Sequence, residues 1–256
     1  MNDPHVEALH YSVRHAEDVD YEKAAPCRHD TAGFTVRIEA DRAEVTMKTH
    51  HATVETARAE VEPFLRAWEL TAALQLRPGE FEFAYDRAAI IDRNPTPGST
   101  VAIIAEMGLA IDSIRAHVGR SKYPDPPSVG LERDTTVEMM FDRFRLYRTG
   151  RTTLGDAANY CLTVLEYAAG GQRKRAARRY SVAMTILNTL GGLAGEKGGE
   201  EARKARGASK PFTGAERQWL EETMKRLIWR AAEIAGDPNA LPQQITMAEL
   251  PSLSKT

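Results

Sequence analysis

The chain has little cysteine, and its two residues, Cys27 and Cys161, fall in different halves. That spacing gives neither a disulfide framework nor a zinc knuckle. No uninterrupted apolar run reaches the length of a membrane span. There is no Gly-x-x-x-x-Gly-Lys-Ser/Thr or Gly-x-Gly-x-x-Gly phosphate loop, and no serine sits in a Gly-x-Ser-x-Gly elbow. The start, Met1-Asn2-Asp3-Pro4-His5, lacks the basic residues and apolar run of a secretory signal, so a reduced, cytoplasmic protein is expected. Histidine is absent after residue 117. All seven histidines (His5, His10, His15, His29, His50, His51, His117) lie in the first half, so imidazole chemistry would have to be built there.

What is present is a division of charge. Residues 1–130 hold 14 Lys+Arg against 21 Asp+Glu, a net −7, and residues 131–256 hold 20 against 15, a net +5. Any attraction for polyanions is therefore centred on the second half. Arginine outnumbers lysine 25 to 9, a bias that tracks genome composition rather than recognition.

Hydrophobic periodicity divides the chain in the same way. Leu9, Tyr11 and Val13 alternate with polar neighbours, as do Phe34, Val36 and Ile38, and then Ala43, Val45 and Met47 after a turn at 40–42. Period two means strands with one buried face, and the short gap predicts a hairpin. Val54, Ala57, Val61, Leu65, Trp68 and Ala72 repeat at three and four, which predicts a helix capped by Thr53, with Pro63 kinking it or marking a restart. Phe81, Phe83 and Tyr85 form another alternating strand, and Val101–Ile104 a further one. The Cys27–Asp30 group reads as loop. The run Tyr123–Pro127 can continue neither a helix nor a central strand, which places a boundary there.

The second half reads as helices: about 131–148, one from Thr152 or Thr153 stopped at Gly170-Gly171, one or two over 173–190, and a last helix opened by Thr213 and Glu216 as a capping box. Glycines 191, 192, 195, 198 and 199 read as a hinge or surface loop. The expected fold is α+β: an acidic, β-rich domain over 1–127 with one helix packed on its antiparallel sheet, then a basic helical bundle over 128–238. An extended tail over 239–256 is loosely held or docks as an arm.

The strongest charge feature is Arg173, Lys174, Arg175, Arg178 and Arg179, five cations in seven residues with no acid between them. Arg203, Lys204 and Arg206 follow, with Lys210. Such clusters neutralise phosphates without reading sequence. The same stretch resembles a helix-turn-helix. Ala177 lies four places before Ser181, and Ala176, Tyr180, Val182, Leu187 and Leu190 fall at the apolar positions. The resemblance implies a second helix offering Met184, Thr185, Asn188 and Thr189 to a groove. Glycine is usual at the turn because it accepts positive φ; here the residue is Ser181. The second helix carries no Arg, Lys or Gln for base edges. The helical half also resembles the HEPN ribonucleases, but their arginine-then-histidine motif is absent, so only binding or scaffolding would carry over.

These observations predict a non-catalytic protein whose basic half contacts nucleic acid or an acidic protein, with no cofactor and no membrane. One alternative is a metal-assisted hydrolase using His15, Asp18, His29, His50 or His51, which carry ligand chemistry but match no known spacing. The other is a structural subunit or homo-oligomer meeting through the last helix or the tail.

Overall fold

The computed structural model describes residues 2–95, 118–127, 130–197 and 210–253. Its contacts divide the chain into two compact units, Met1–Ser128 and Val129–Thr256, and its class is α+β.

In the first unit, β1 (Pro4–Arg14), β3 (Cys27–Asp30), β4 (Phe34–Glu39), β5 (Arg42–Met47) and β6 (Glu82–Asp92) form an antiparallel sheet of order β3-β4-β5-β1-β6. β4 and β5 join through Ala40 and Asp41 at φ 49° and 56°, with Glu39 paired to Arg42. Two left-handed residues match the twist of a tight hairpin. The Asp41 amide is held by the Tyr123 hydroxyl at 3.1 Å. The β1–β6 pairing shifts register twice: Glu7 is the extra residue in β1 between Val6 and Ala8, and Asp86 is the extra residue in β6 opposite the step from His10 to Tyr11. A short parallel pair joins β2 (Val19–Asp20) to β7 (Val118–Gly119).

Helix α1 (Val54–Gln75) opens on Thr53, whose hydroxyl accepts from the Thr56 amide. Of the two outcomes expected at Pro63, a kink or a restart, the restart does not occur: α1 is one helix with Pro63 inside it. Pro63 and Ala59 are both exposed, so the Ala59 carbonyl freed by the missing N–H faces water. The opposite stripe of α1, with Val61, Leu65 and Trp68, is buried in one core with Leu9, Val36, Ile38, Val45, Phe81 and Phe83. Each fully buried side chain of this size contributes about 1.5–3 kcal/mol. The Cys27–Asp30 group is a strand, not a loop. Cys27 and His29 are half-buried while Arg28 and Asp30 are exposed, and four residues at a sheet edge are too few for the alternation to stand out in sequence.

The second unit contains α2 (Thr135–Arg148), α3 (Leu154–Ala168), α4 (Arg173–Arg179), α5 (Met184–Glu196) and α6 (Gly214–Gly236). Asp134, Thr153 and Thr213 cap α2, α3 and α6, and the Thr213–Glu216 capping box is formed in both directions. α3 packs on α2, α5 and α6. Gly191, Gly192 and Gly195 lie inside α5, not in a hinge. At Gly191 an added Cβ would stand 3.1–3.2 Å from the Arg173 guanidinium and Leu162, so the glycine leaves room for a close approach of these side chains to α5. The expected strand at Val101–Ile104, and Gly198 and Gly199, lie outside the described residues.

Candidate nucleic-acid interface

The α4 backbone closes on Tyr180 and leaves the helix at Ser181, whose φ of 48° is left-handed. The Val182 amide donates back to the Ala177 carbonyl at 2.9 Å, closing the outer hydrogen bond of a Schellman-type end. α5 begins at Met184. Ala176, Ala177, Tyr180, Val182, Leu187 and Leu190, the apolar positions of the resemblance together with its small residue, are all buried. Thr185 and Asn188 are exposed on α5, and Met184 and Thr189 are half-buried.

The five cations of α4 divide into two groups. Arg173 is committed internally: its Nε donates to Glu166 at 2.6 Å and its Nη1 to the Asn188 Oδ1 at 3.3 Å. Arg179 is exposed but gives Nη1 to the Ala168 carbonyl at 2.6 Å and lies 5.5 Å over the Tyr180 ring. Lys174, Arg175 and Arg178 are exposed and have no ion pair among the described residues. Arg203, Lys204 and Arg206 lie outside the described residues.

An open groove of about 580 Å³ is lined by Lys174, Ala177, Arg178, Ser181, Val182, Met184 and Gln244. Gln244 comes from the tail, which docks rather than hanging loose. The Ile245 amide donates to the Ser181 carbonyl at 2.8 Å, and the Ala183 amide donates to the Ile245 carbonyl at 2.9 Å. Beyond it, Thr246 and Glu249 cap a single 3₁₀ turn over Met247–Glu249. Two residues of this region escape a sequence reading. Gln244 has no local signal. Arg230 of α6 does leave one: it is a cation on the inward row Thr223, Leu227, Arg230, Ile234, all four of which are buried.

The ligand-type residues of the first unit are placed among separate partners. His15 faces Asp41 at 3.6 Å, and Asp18 pairs with Arg77 at 2.9 Å. His29 stacks on Phe64 at 5.0 Å. His50 stacks on His5 at 5.3 Å and stands 3.8 Å from Asp3, while His51 bonds Glu60 at 2.7 Å. Among the described residues no group of three or more His, Cys, Asp or Glu side chains is placed to hold a metal ion. Burial, with Asp125 nearby, pushes the Cys27 thiol up, away from the thiolate a nucleophile needs. Glu221 accepts the Tyr147 hydroxyl, and burial with this bond raises the Tyr147 pKa. No helix among the described residues is long and apolar enough to cross a membrane.

Compared with known proteins, the chain matches no family model, no curated sequence and no solved structure.

Proposed function

We propose that the second unit binds double-stranded DNA, with α5 directed into the major groove and the α4 cations on the flanking phosphates. The observation that carries this reading is the left-handed turn at Ser181, which joins two helices whose shared face is buried and whose outer face holds three uncommitted cations. A B-form major groove admits a helix, whereas the A-form groove of duplex RNA is too deep and narrow. Residues 131–256 carry +5, which supplies long-range attraction. Thr185 and Asn188 give α5 only short polar side chains, so phosphate contacts supply most of the affinity.

The test is binding of the full chain to DNA duplex, RNA duplex and single strands through a salt titration. Binding to DNA duplex should weaken steeply with salt, by about 0.9 log units per log unit of salt for each phosphate contacted. Lys174→Glu, Arg175→Glu and Arg178→Glu combined should abolish binding without unfolding the bundle, because none of the three has an ion pair among the described residues. No binding to DNA duplex at low salt overturns the reading and turns attention to an acidic protein partner.

A further inference from the structure

We propose that the tail is part of this interface, with Gln244 completing a seat for a DNA phosphate whose other two sides are Lys174 and Arg178; the proposal rests on reading α4 and α5 as a DNA-binding pair. Lys174 and Arg178 are four apart on α4 and therefore share one face. Gln244 reaches the same groove from the tail. Ala177, Ser181, Val182 and Met184 complete the lining, and among the described residues no carboxylate lines the groove. An ammonium, a guanidinium and a carboxamide surround the space. That set is rich in donors and has one side-chain acceptor at its rim besides the serine hydroxyl, which suits a singly charged phosphodiester.

The position of Gln244 is fixed from both sides. The preceding carbonyl, of Gln243, accepts from Arg230 Nη2 at 2.8 Å. The following residue, Ile245, is buried and pairs through its backbone with the Ser181–Ala183 segment. Successive side chains of an extended segment point to opposite sides, so burying Ile245 turns Gln244 outward. The Gln244 side chain is exposed and makes no hydrogen bond among the described residues, so its place is set while its donors stay available. With the backbone held before binding, only the side-chain rotamers of Gln244 remain to be ordered on contact.

The experiment compares full-length wild type, Gln244→Ala, Lys174→Ala and Arg178→Ala on a short mixed-sequence DNA duplex through a potassium chloride titration. Gln244→Ala should weaken binding about tenfold at every salt concentration, since a bond to a charged group is lost. Its salt slope should match wild type, because a neutral donor releases no counterion. Lys174→Ala and Arg178→Ala should each lower the slope by about 1. The Gln244→Ala/Lys174→Ala double variant should lose less than the sum of the singles, because both act on one phosphate. Wild-type affinity in Gln244→Ala, with the two cation variants impaired, overturns the role of the tail and leaves the DNA-binding reading standing. Failure of wild type itself to bind overturns both.

Discussion

The Arg230 guanidinium on α6 donates to the carbonyls of both Tyr180 and Ser181, at 3.0 and 3.1 Å, and so holds the turn between α4 and α5 from a helix far along the chain. The same group donates to the Gln243 carbonyl at 2.8 Å and, through Nε, to Glu233 at 2.8 Å. The carbonyls at the end of a helix have no partner within it, and burying them unpaired is costly; the Ser181 carbonyl keeps the Ile245 amide as a second donor, whereas that of Tyr180 depends on Arg230. Arg230 is itself buried, at 8% exposure, so these bonds form away from most of the solvent. Arg230→Ala should therefore destabilise the second unit by about 2–4 kcal/mol, as three carbonyls and Glu233 lose a charged donor together. Arg230→Lys should recover only part, since an ammonium lacks the planar fork. Urea unfolding measures both; unchanged stability in Arg230→Ala would mean that the turn holds its shape without α6.

Ser181 pays for its position. A residue with a Cβ at φ 48° is strained relative to glycine, by about 1 kcal/mol. Ser181→Gly should raise the stability of the second unit by about 0.5–1 kcal/mol, because the left-handed cost disappears. Ser181→Val should lower it, since a β-branched side chain tolerates this region less well. Denaturation midpoints decide the matter. A less stable Ser181→Gly would place the favourable energy in the serine hydroxyl.

What was legible in the sequence was local. The hairpin at Ala40–Asp41, the Thr53 cap and the Thr213–Glu216 box each depend on residues within one turn of one another, and each formed as its pattern predicts. The turn between α4 and α5 is local too, because Ala177, Ser181 and Leu187 lie within about three turns of one another. The misreadings are places where distant packing decides. Gly191 and Gly192 look like a break until Arg173 and Leu162 are seen to need the space beside Gly191. Cys27–Asp30 becomes a strand only because β4 offers it an edge. Gln244 comes to the groove that Lys174 and Arg178 also line through a backbone pairing that no local pattern encodes.

Gly236 closes α6 against the start of the second unit. A Cβ there would overlap the Gly130 carbonyl, and backbone cannot swing aside as a side-chain tip can. The approach is locked nearby, where the Glu132 amide donates to the Ala232 carbonyl at 3.1 Å. Gly236→Ala should cost about 1–3 kcal/mol through this overlap, despite alanine's better helix propensity. Stability unchanged or raised in that variant would show that residues 130–132 can move off the helix end.

The first unit should lose stability in mild acid through His5. Its ring is buried at 4% exposure, stacked on His50, and its Nδ1 faces the His51 amide at 3.5 Å. Burial, followed by the charges of Arg93 and His50, holds the imidazole below the ordinary histidine value of 6.5; His51 adds to this and Glu7 opposes it. The folded pKa is therefore lower than the unfolded one, and as pH falls the unfolded chain takes up its proton first. The contribution of His5 is complete above about pH 6.5 and drains away as pH falls toward and through the folded value. Acid sensitivity of a folded unit has several contributors, so the informative quantity is a difference between proteins. Amide exchange in β1 and β6 should slow less between about pH 5.5 and about pH 7.5 in His5→Gln than in wild type, once corrected for intrinsic rates. Equal pH dependence in the two proteins would assign the acid sensitivity of this sheet to a group other than His5.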